Sequence, residues 1–338
     1  MTPDERRRLQ LSVGLAVAAV TIALAGLAAG GEGWSMGGLV RALGTADGRL
    51  IVFQIRAPRT VGAWLTGALL GLSGAIAQGL FRNPLADPYL LGSASGAVLG
   101  VVIVLAMAAL GGHVVSVATA DAIARFGLVG AAFVGTLLGV LLTLSLARGA
   151  QETTHLLLAG VVVGVVLAAT SDLVTTAAPD ALRGKQAFLL GSTGFLGWSS
   201  CGFMGLGLAA TLPVAWRLSR VLDALTLGTE TALSLGVALG RVRVALFAAL
   251  ALATGLAVSQ AGLVAFVGLV SPHLVRRFAP ATQGFTLVAS AAAGGTLLLA
   301  ADVLARTVIA PQEVPVGVLT ALLGGGYLVW LLRRRQAS

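Results

Sequence analysis

A chain of 338 residues with 57% hydrophobic and only 10% charged side chains, at a mean hydropathy of +0.96, cannot be a soluble domain, which carries roughly 25% charged residues. The net charge of +9 would suit a nucleic-acid binder, but the basic residues sit in short stretches between apolar runs, as the orientation rule for membrane helices requires, so no nucleic-acid partner is expected. Cys201 is the single cysteine, which excludes a disulfide and a thiolate metal cluster.

In chain order the sequence predicts ten apolar segments, at approximately Leu9–Ala29, Pro58–Leu80, Leu90–Leu110, Gly127–Ala147, Leu156–Ala177, Ser199–Trp216, Val244–Ser259, Gly262–Val275, Phe285–Leu304 and Val316–Leu332. The first follows Arg6-Arg7-Arg8 and outruns a signal-peptide core of about 7–15 residues, so it reads as an uncleaved span. Residues 30–57 form a long outer segment. The second span opens at Arg56-Ala57-Pro58-Arg59; proline can start a helix without losing a needed donor, and arginines three apart share a helix face. It leaves through Phe81-Arg82-Asn83-Pro84-Leu85-Ala86-Asp87-Pro88, where two prolines forbid a continuous helix. That loop is either a tight inner turn anchored by Arg82 or a gate closed by Leu85 with Asn83 beside it. Gly67/Gly71, Gly92/Gly96/Gly100, Gly135/Gly139 and Gly160/Gly164 recur at helix-face spacing, which predicts close helix–helix packing.

A second inner turn, Arg148–His155, places Thr153 where it can cap the next helix. Residues 179–197 are a shorter outer segment whose apolar interior suits a helix at the membrane surface, and residues 218–240 are the largest inner loop. The latter reads as two short helices, the first started by Asp223 and ended by Gly228. Leu225, Ala232 and Leu235 would offer an apolar patch, the mark of a partner or of adhesion to the membrane surface. The seventh and eighth apolar segments are short for full spans, so one is expected to be tilted, broken or re-entrant. Near the ninth span's end Asp302 precedes Arg306 by one helical turn, placed to orient or neutralise it.

With the amino terminus inside, fourteen basic residues fall on inner segments and eight on outer ones, which predicts both termini in the cytoplasm and an even number of crossings. The expected fold is all-α: a polytopic membrane protein of about ten transmembrane helices forming one domain over residues 1–338. A phosphate loop, G-x-x-x-x-G-K-S/T, is missing, because the only lysine, Lys185, stands between Gly184 and Gln186; ATP must bind a partner. His113, His155 and His273 have no paired spacing, so no metal site is expected. An ion-coupled secondary transporter, the alternative from another class, would carry an intramembrane ionisable residue. Only Asp172 and Asp302 come near spans, both toward predicted outer ends.

Several strings resemble the permease subunits of ATP-driven importers for iron-siderophores, haem and cobalamin, the FecCD or cobalamin-permease family: R-N-P-L-A-D-P at Arg82–Pro88, L-L-L-A-G at Leu156–Gly160, L-x-L-G-x-x-x-A-x-x-L-G ending at Gly236, and G-L-V-A-F-V-G-L-V-S-P-H-L-V-R at Gly262–Arg276. The resemblance runs from about Arg56 to Leu332. It implies a homodimer in the bacterial inner membrane, two ATP-binding-cassette subunits below and one periplasmic substrate-binding protein above. ATP and Mg would sit on the ATPase, with no cofactor, metal or catalytic residue on this chain. It implies a cytoplasmic gate of Asn83, Leu85, Thr153 and Thr154, and ATPase-coupling helices bearing Asp223, Leu225, Gly228, Glu230, Ala232, Leu235 and Gly236. Arg56, Arg59 and Arg306 would receive acidic residues of the binding protein, a role that suits a permanently charged, bidentate donor. The cargo expected from it is haem or an iron chelate ahead of cobalamin.

Overall fold

The computed structural model describes residues 2–30, 33–111, 117–147, 153–234 and 239–336. Helix α1 (Pro3–Ala28) leads through a minimal antiparallel pairing of β1 (Ala29–Gly30) with β2 (Gly33–Trp34) into α2 (Met36–Gly44) and α3 (Ala46–Ile51). A π-helical turn over Val52–Arg56 continues into α4 (Ala57–Phe81), and a 3-10 turn, Pro88–Leu91, precedes α5 (Ser93–Gly111). Then follow α6 (Val117–Leu146), α7 (Thr153–Ala177), α8 (Ala181–Leu190), α9 (Trp198–Arg217), and the short α10 (Ser219–Thr226) and α11 (Thr229–Ser234). The chain finishes with α12 (Leu239–Ala261), α13 (Val267–Phe278), α14 (Gln283–Thr307) and α15 (Val316–Gln336). Among the described residues, seven helices are long and apolar enough to cross a membrane, and shorter apolar helices cover Ser93–Ala109 and Val316–Leu331.

Local chemistry starts these elements. Thr2 accepts the Glu5 N–H at 3.2 Å while the Glu5 carboxylate accepts the Thr2 N–H at 2.8 Å, a reciprocal cap completed by Pro3 in the first turn. Beyond it α1 turns Val13, Val17, Val20 and Leu24 outward, a surface that only lipid or another apolar face can cover. By contrast α4 is buried on all sides: Leu69, Leu72, Ala75 and Ile76 have no appreciable exposure. It forms the axis of the bundle, packed by α14, α12, α13 and α9.

Close approach of main chains explains the glycine spacing. A Cβ on Gly67 would stand 2.2 Å from the Gly294 carbonyl oxygen, and one on Gly71 would stand 2.1 Å from that of Ser290. Helices α5 and α6 meet in the same way, with Gly96 and Gly135 each facing the other's carbonyl at 2.2 and 2.1 Å. Lipid provides no hydrophobic drive for helices to associate, so such contact is how they gain dispersion energy. Gly160 also touches a backbone carbonyl, that of Leu90, whereas Gly164 has ordinary clearance.

Of the two short apolar segments, the eighth is the broken one. Residues 262–266 are not helical: Gly262 (φ +70°) and Phe266 (φ +67°) take left-handed conformations, and α13 retains 12 residues, about 18 Å of helix against a hydrocarbon core of about 30 Å. Helix α10 starts at Ser219, four residues before the expected Asp223, and Asp223 serves another element: its Oδ1 accepts the Gln283 N–H at 2.9 Å, capping α14 from outside.

Gly71→Ala is expected to destabilise the bundle by at least the roughly 1–3 kcal/mol typical of overpacking. Gly202→Ala on α9, with nothing within 4 Å of its added carbon, should be neutral or stabilising by up to about 1 kcal/mol. Thermal midpoints of the two variants in one detergent check the contrast.

Candidate functional site

The end of the bundle where α4 begins and α14 finishes is here called the upper end; the opposite end holds α10, α11 and the loop after α4. At the upper end five segments converge on Asp302, whose side chain is fully buried. Arg59 on α4 donates Nε to Asp302 Oδ1 at 3.0 Å and Nη1 to Glu313 Oε1 at 2.8 Å. Thr193, between α8 and α9, donates its hydroxyl to the same Asp302 oxygen at 2.5 Å. Arg306, one turn along α14, reaches Asp302 Oδ2 at 2.5 Å and the Gly26 carbonyl of α1 at 3.0 Å. Two guanidinium groups are thus balanced by two carboxylates. Burying charge costs several kcal/mol per ion unless it is paired and hydrogen-bonded, and this set meets that condition.

The arginines expected on an outer surface are therefore turned inward. Arg59 is 9% and Arg306 5% exposed, and the half-buried Arg56 donates to the Leu27 carbonyl at 3.0 Å. Spacing puts Arg56 and Arg59 on one helix face and the resemblance adds Arg306, but Glu313 and Thr193 have no such signal: both come from connections between helices, Thr193 far from either arginine and Glu313 shortly after Arg306. Among the cluster's side chains Glu313 is the one left half-exposed, at 49%.

The lower end carries a broken chain. Arg82 ends α4 in a left-handed conformation (φ 49°), and Asn83 Oδ1 accepts the Leu85 N–H at 2.9 Å, an Asx turn that projects Leu85, 52% exposed. Asp87 accepts the Tyr89 N–H at 2.8 Å and starts the 3-10 turn. The Tyr89 hydroxyl donates to the Val264 carbonyl at 3.0 Å, so the break after α4 meets the break before α13. Pro88 also lies against Gly268. Gln78 ties α4 to α13 by donating to the Leu269 carbonyl at 3.1 Å and accepting from Arg276. Of the expected gate, Asn83 and Leu85 stand at the lower mouth; α7 opens at Thr153, and the side chains of Thr153 and Thr154 lie outside the described residues.

The short lower helices differ from the expected apolar patch. Leu225 is 1% exposed and packs with Leu222, Leu80 and Phe81 in the core. It roots the pair of helices and does not face a partner. Gly228 reverses the chain at φ +116°, Leu227 is 70% exposed and Glu230 is exposed. The Ala232 side chain and residues Leu235 and Gly236 lie outside the described residues. An apolar groove lined by Leu146, Ala147, His155, Leu158, Ala159 and Val162 runs beside the start of α7. Among the described residues no three His, Cys, Asp or Glu side chains gather as a metal site would require.

A model of the FecCD transport family matches residues 15–334. The chain is 38% identical over 288 residues to the hemin transport system permease protein HmuU of Yersinia pestis, covering 85% of this chain and 84% of the relative. It is 39% identical over 292 residues to the vitamin B12 import system permease protein BtuC of Yersinia enterocolitica serotype O:8 / biotype 1B, covering 85% and 83%. A solved inward-facing conformation of a metal-chelate type ABC transporter superposes with a TM-score of 0.81 at 25% identity, over 95% of this chain and 98% of that one.

Buried and exposed charge should respond differently to substitution. Asp302→Asn leaves Glu313 as one carboxylate for two buried guanidiniums and should cost about 3–5 kcal/mol. Asp172→Asn, removing a 74%-exposed carboxylate that pairs with Lys185, should cost under about 1 kcal/mol; melting in detergent compares them.

Proposed function

The chain belongs to the FecCD transport family, and from that premise we propose that it is the permease subunit of an ATP-binding-cassette importer carrying haem or an iron chelate, as a multi-pass protein of the bacterial inner membrane. The single observation behind this reading is the family match along almost the whole chain. Likeness to a hemin permease and to a metal-chelate transporter supports the cargo class; cobalamin is the second reading, supported by equal likeness to a vitamin B12 permease.

On this reading α1, α4, α5, α6, α7, α9, α12, α13, α14 and α15 give ten traverses, the short α13 completing its own through the non-helical residues 262–266. Both termini are then cytoplasmic, the Asp302 cluster faces the periplasm, and α2, α3 and α8 lie on the periplasmic side. The distribution of basic residues supports that orientation. Two copies enclose the pathway, and the chain itself carries out no bond chemistry; ATP and Mg belong to two ATPase subunits. Those subunits dock on α10 and α11, through Leu227, Glu230 and the Ala232–Gly236 stretch, with Asp223, Leu225 and Gly228 setting the position of the two helices. Leu85 and Asn83 close the cytoplasmic mouth with Thr153 and Thr154. One periplasmic binding protein docks over Arg56, Arg59 and Arg306.

Reconstitution in proteoliposomes with the ATPase and binding protein tests this. ATP-dependent uptake of haem or a ferric chelate is expected, falling at least about tenfold in Leu227→Asp with little change in melting, since an exposed side chain carries little fold stability. Uptake driven by a proton or sodium gradient without ATP would overturn the assignment; uptake of cobalamin alone would overturn the iron cargo.

A further inference from the structure

Glu313 differs from the other members of the upper cluster. Both Asp302 oxygens are taken, Oδ1 by Arg59 and Thr193 and Oδ2 by Arg306. One carboxylate therefore faces two guanidiniums, and the second positive charge is balanced by Glu313 through the Arg59 Nη1 contact at 2.8 Å. Glu313 sits in the short connection between α14 and α15. Its side chain is half-exposed while that of Arg59 is 11% exposed. What stands against the pair is a glycine: a carbon added to the exposed Gly194 would lie 3.8 Å from Arg59 Nη1 and 3.9 Å from Glu313 Oε2, so no side chain from that position covers the pair.

A guanidinium this enclosed cannot be left without a counter-charge. A partner's carboxylate that reaches Arg59 Nη1 meets the one already there; binding beside it would crowd a further anion against Glu313 and Asp302, whereas replacing it leaves the number of buried charges unchanged. Asp302, held by three donors, stays in place as the anchor, and the mobile member is the exposed one. We propose that Glu313 is a built-in competitor for docking: it occupies Arg59 in the free permease and yields it to an acidic side chain of the binding protein. This rests on the docking reading above. It gives the Arg59–Arg306 cluster a charge-balanced resting state and makes attachment of the binding protein readily reversible, since Glu313 stands ready to retake the arginine.

The test measures binding of the cognate binding protein to the permease–ATPase complex in nanodiscs of neutral lipid, over a range of salt. Glu313→Gln should tighten docking about three- to tenfold, the scale of one partly exposed ion pair. Arg59→Gln should weaken docking and flatten its salt dependence, and the double variant should show no gain over Arg59→Gln alone. If Glu313→Gln lowers the melting midpoint too far for purification, Glu313→Asp, whose shorter arm lengthens the pair, should tighten docking in the same direction. Unchanged or weaker docking in the Glu313 variants, with Arg59→Gln still weakening it, overturns the competitor and leaves the docking reading standing. Docking indifferent to Arg59→Gln overturns the docking reading and the competitor together.

Discussion

Helices α4 and α14 touch through their main chains, and the rest of the molecule takes its position from that contact. Glycines on both helices let a carbonyl of one stand where a side chain of the other would be, the arrangement that compensates for the missing hydrophobic drive in lipid. The contact holds Arg59 against Asp302 at one end of α14. At the other end Asp223 of α10 caps Gln283. A helix of 25 residues, about 37 Å long, thereby joins the short lower helices to the upper ion cluster with no flexible connection between. Leu222 and Leu225 root the same α10 beneath Leu80 and Phe81 of α4. The two sites on opposite ends of the bundle thus rest on one rigid pair.

Backbone groups in hydrocarbon find no water, so irregular chain at membrane depth survives only where protein surrounds it. Here two such stretches satisfy each other. The turn before α5 reaches the extended chain before α13 through the Tyr89 hydroxyl, and that chain pairs Leu263 N–H with the Phe188 carbonyl of α8 at 3.0 Å. Phe266 holds a left-handed conformation that a bulky residue rarely takes, against Gly324 of α15, where an added carbon would lie 2.3 Å from the Phe266 Cβ. Discontinuous helices meeting inside a bundle form the substrate and ion sites of many transporters. Asp87, whose carboxylate accepts the Tyr89 N–H, sits at that junction.

Much of this was legible from residues alone. Apolar length announced the spans, and proline pairs announced the break at Arg82–Pro88. Glycine spacing marked the helix faces that meet. Short apolar length at Gly262–Val275 foretold an interrupted span without locating the break at Phe266, since a left-handed phenylalanine is imposed by its neighbours and not by its own preference. Leu225 and Arg59 were misplaced for the opposite reason. A leucine in an inner loop and an arginine at a span's edge are ordinarily surface residues; each is buried here because a distant segment, α4 for one and Asp302 for the other, arrives to cover it.

The sequence by itself determined the class of the protein, its family and the ends of the bundle at which chemistry gathers. These depend on composition and on strings of adjacent residues, which a linear chain displays. The pairing of Asp302 with Arg306, one turn apart, is local; tertiary structure alone decided the long-range charge pairs. Arg59 lies 243 residues from Asp302 and 254 from Glu313, and their meeting follows from two helices closing to backbone contact, a geometry that no local pattern encodes.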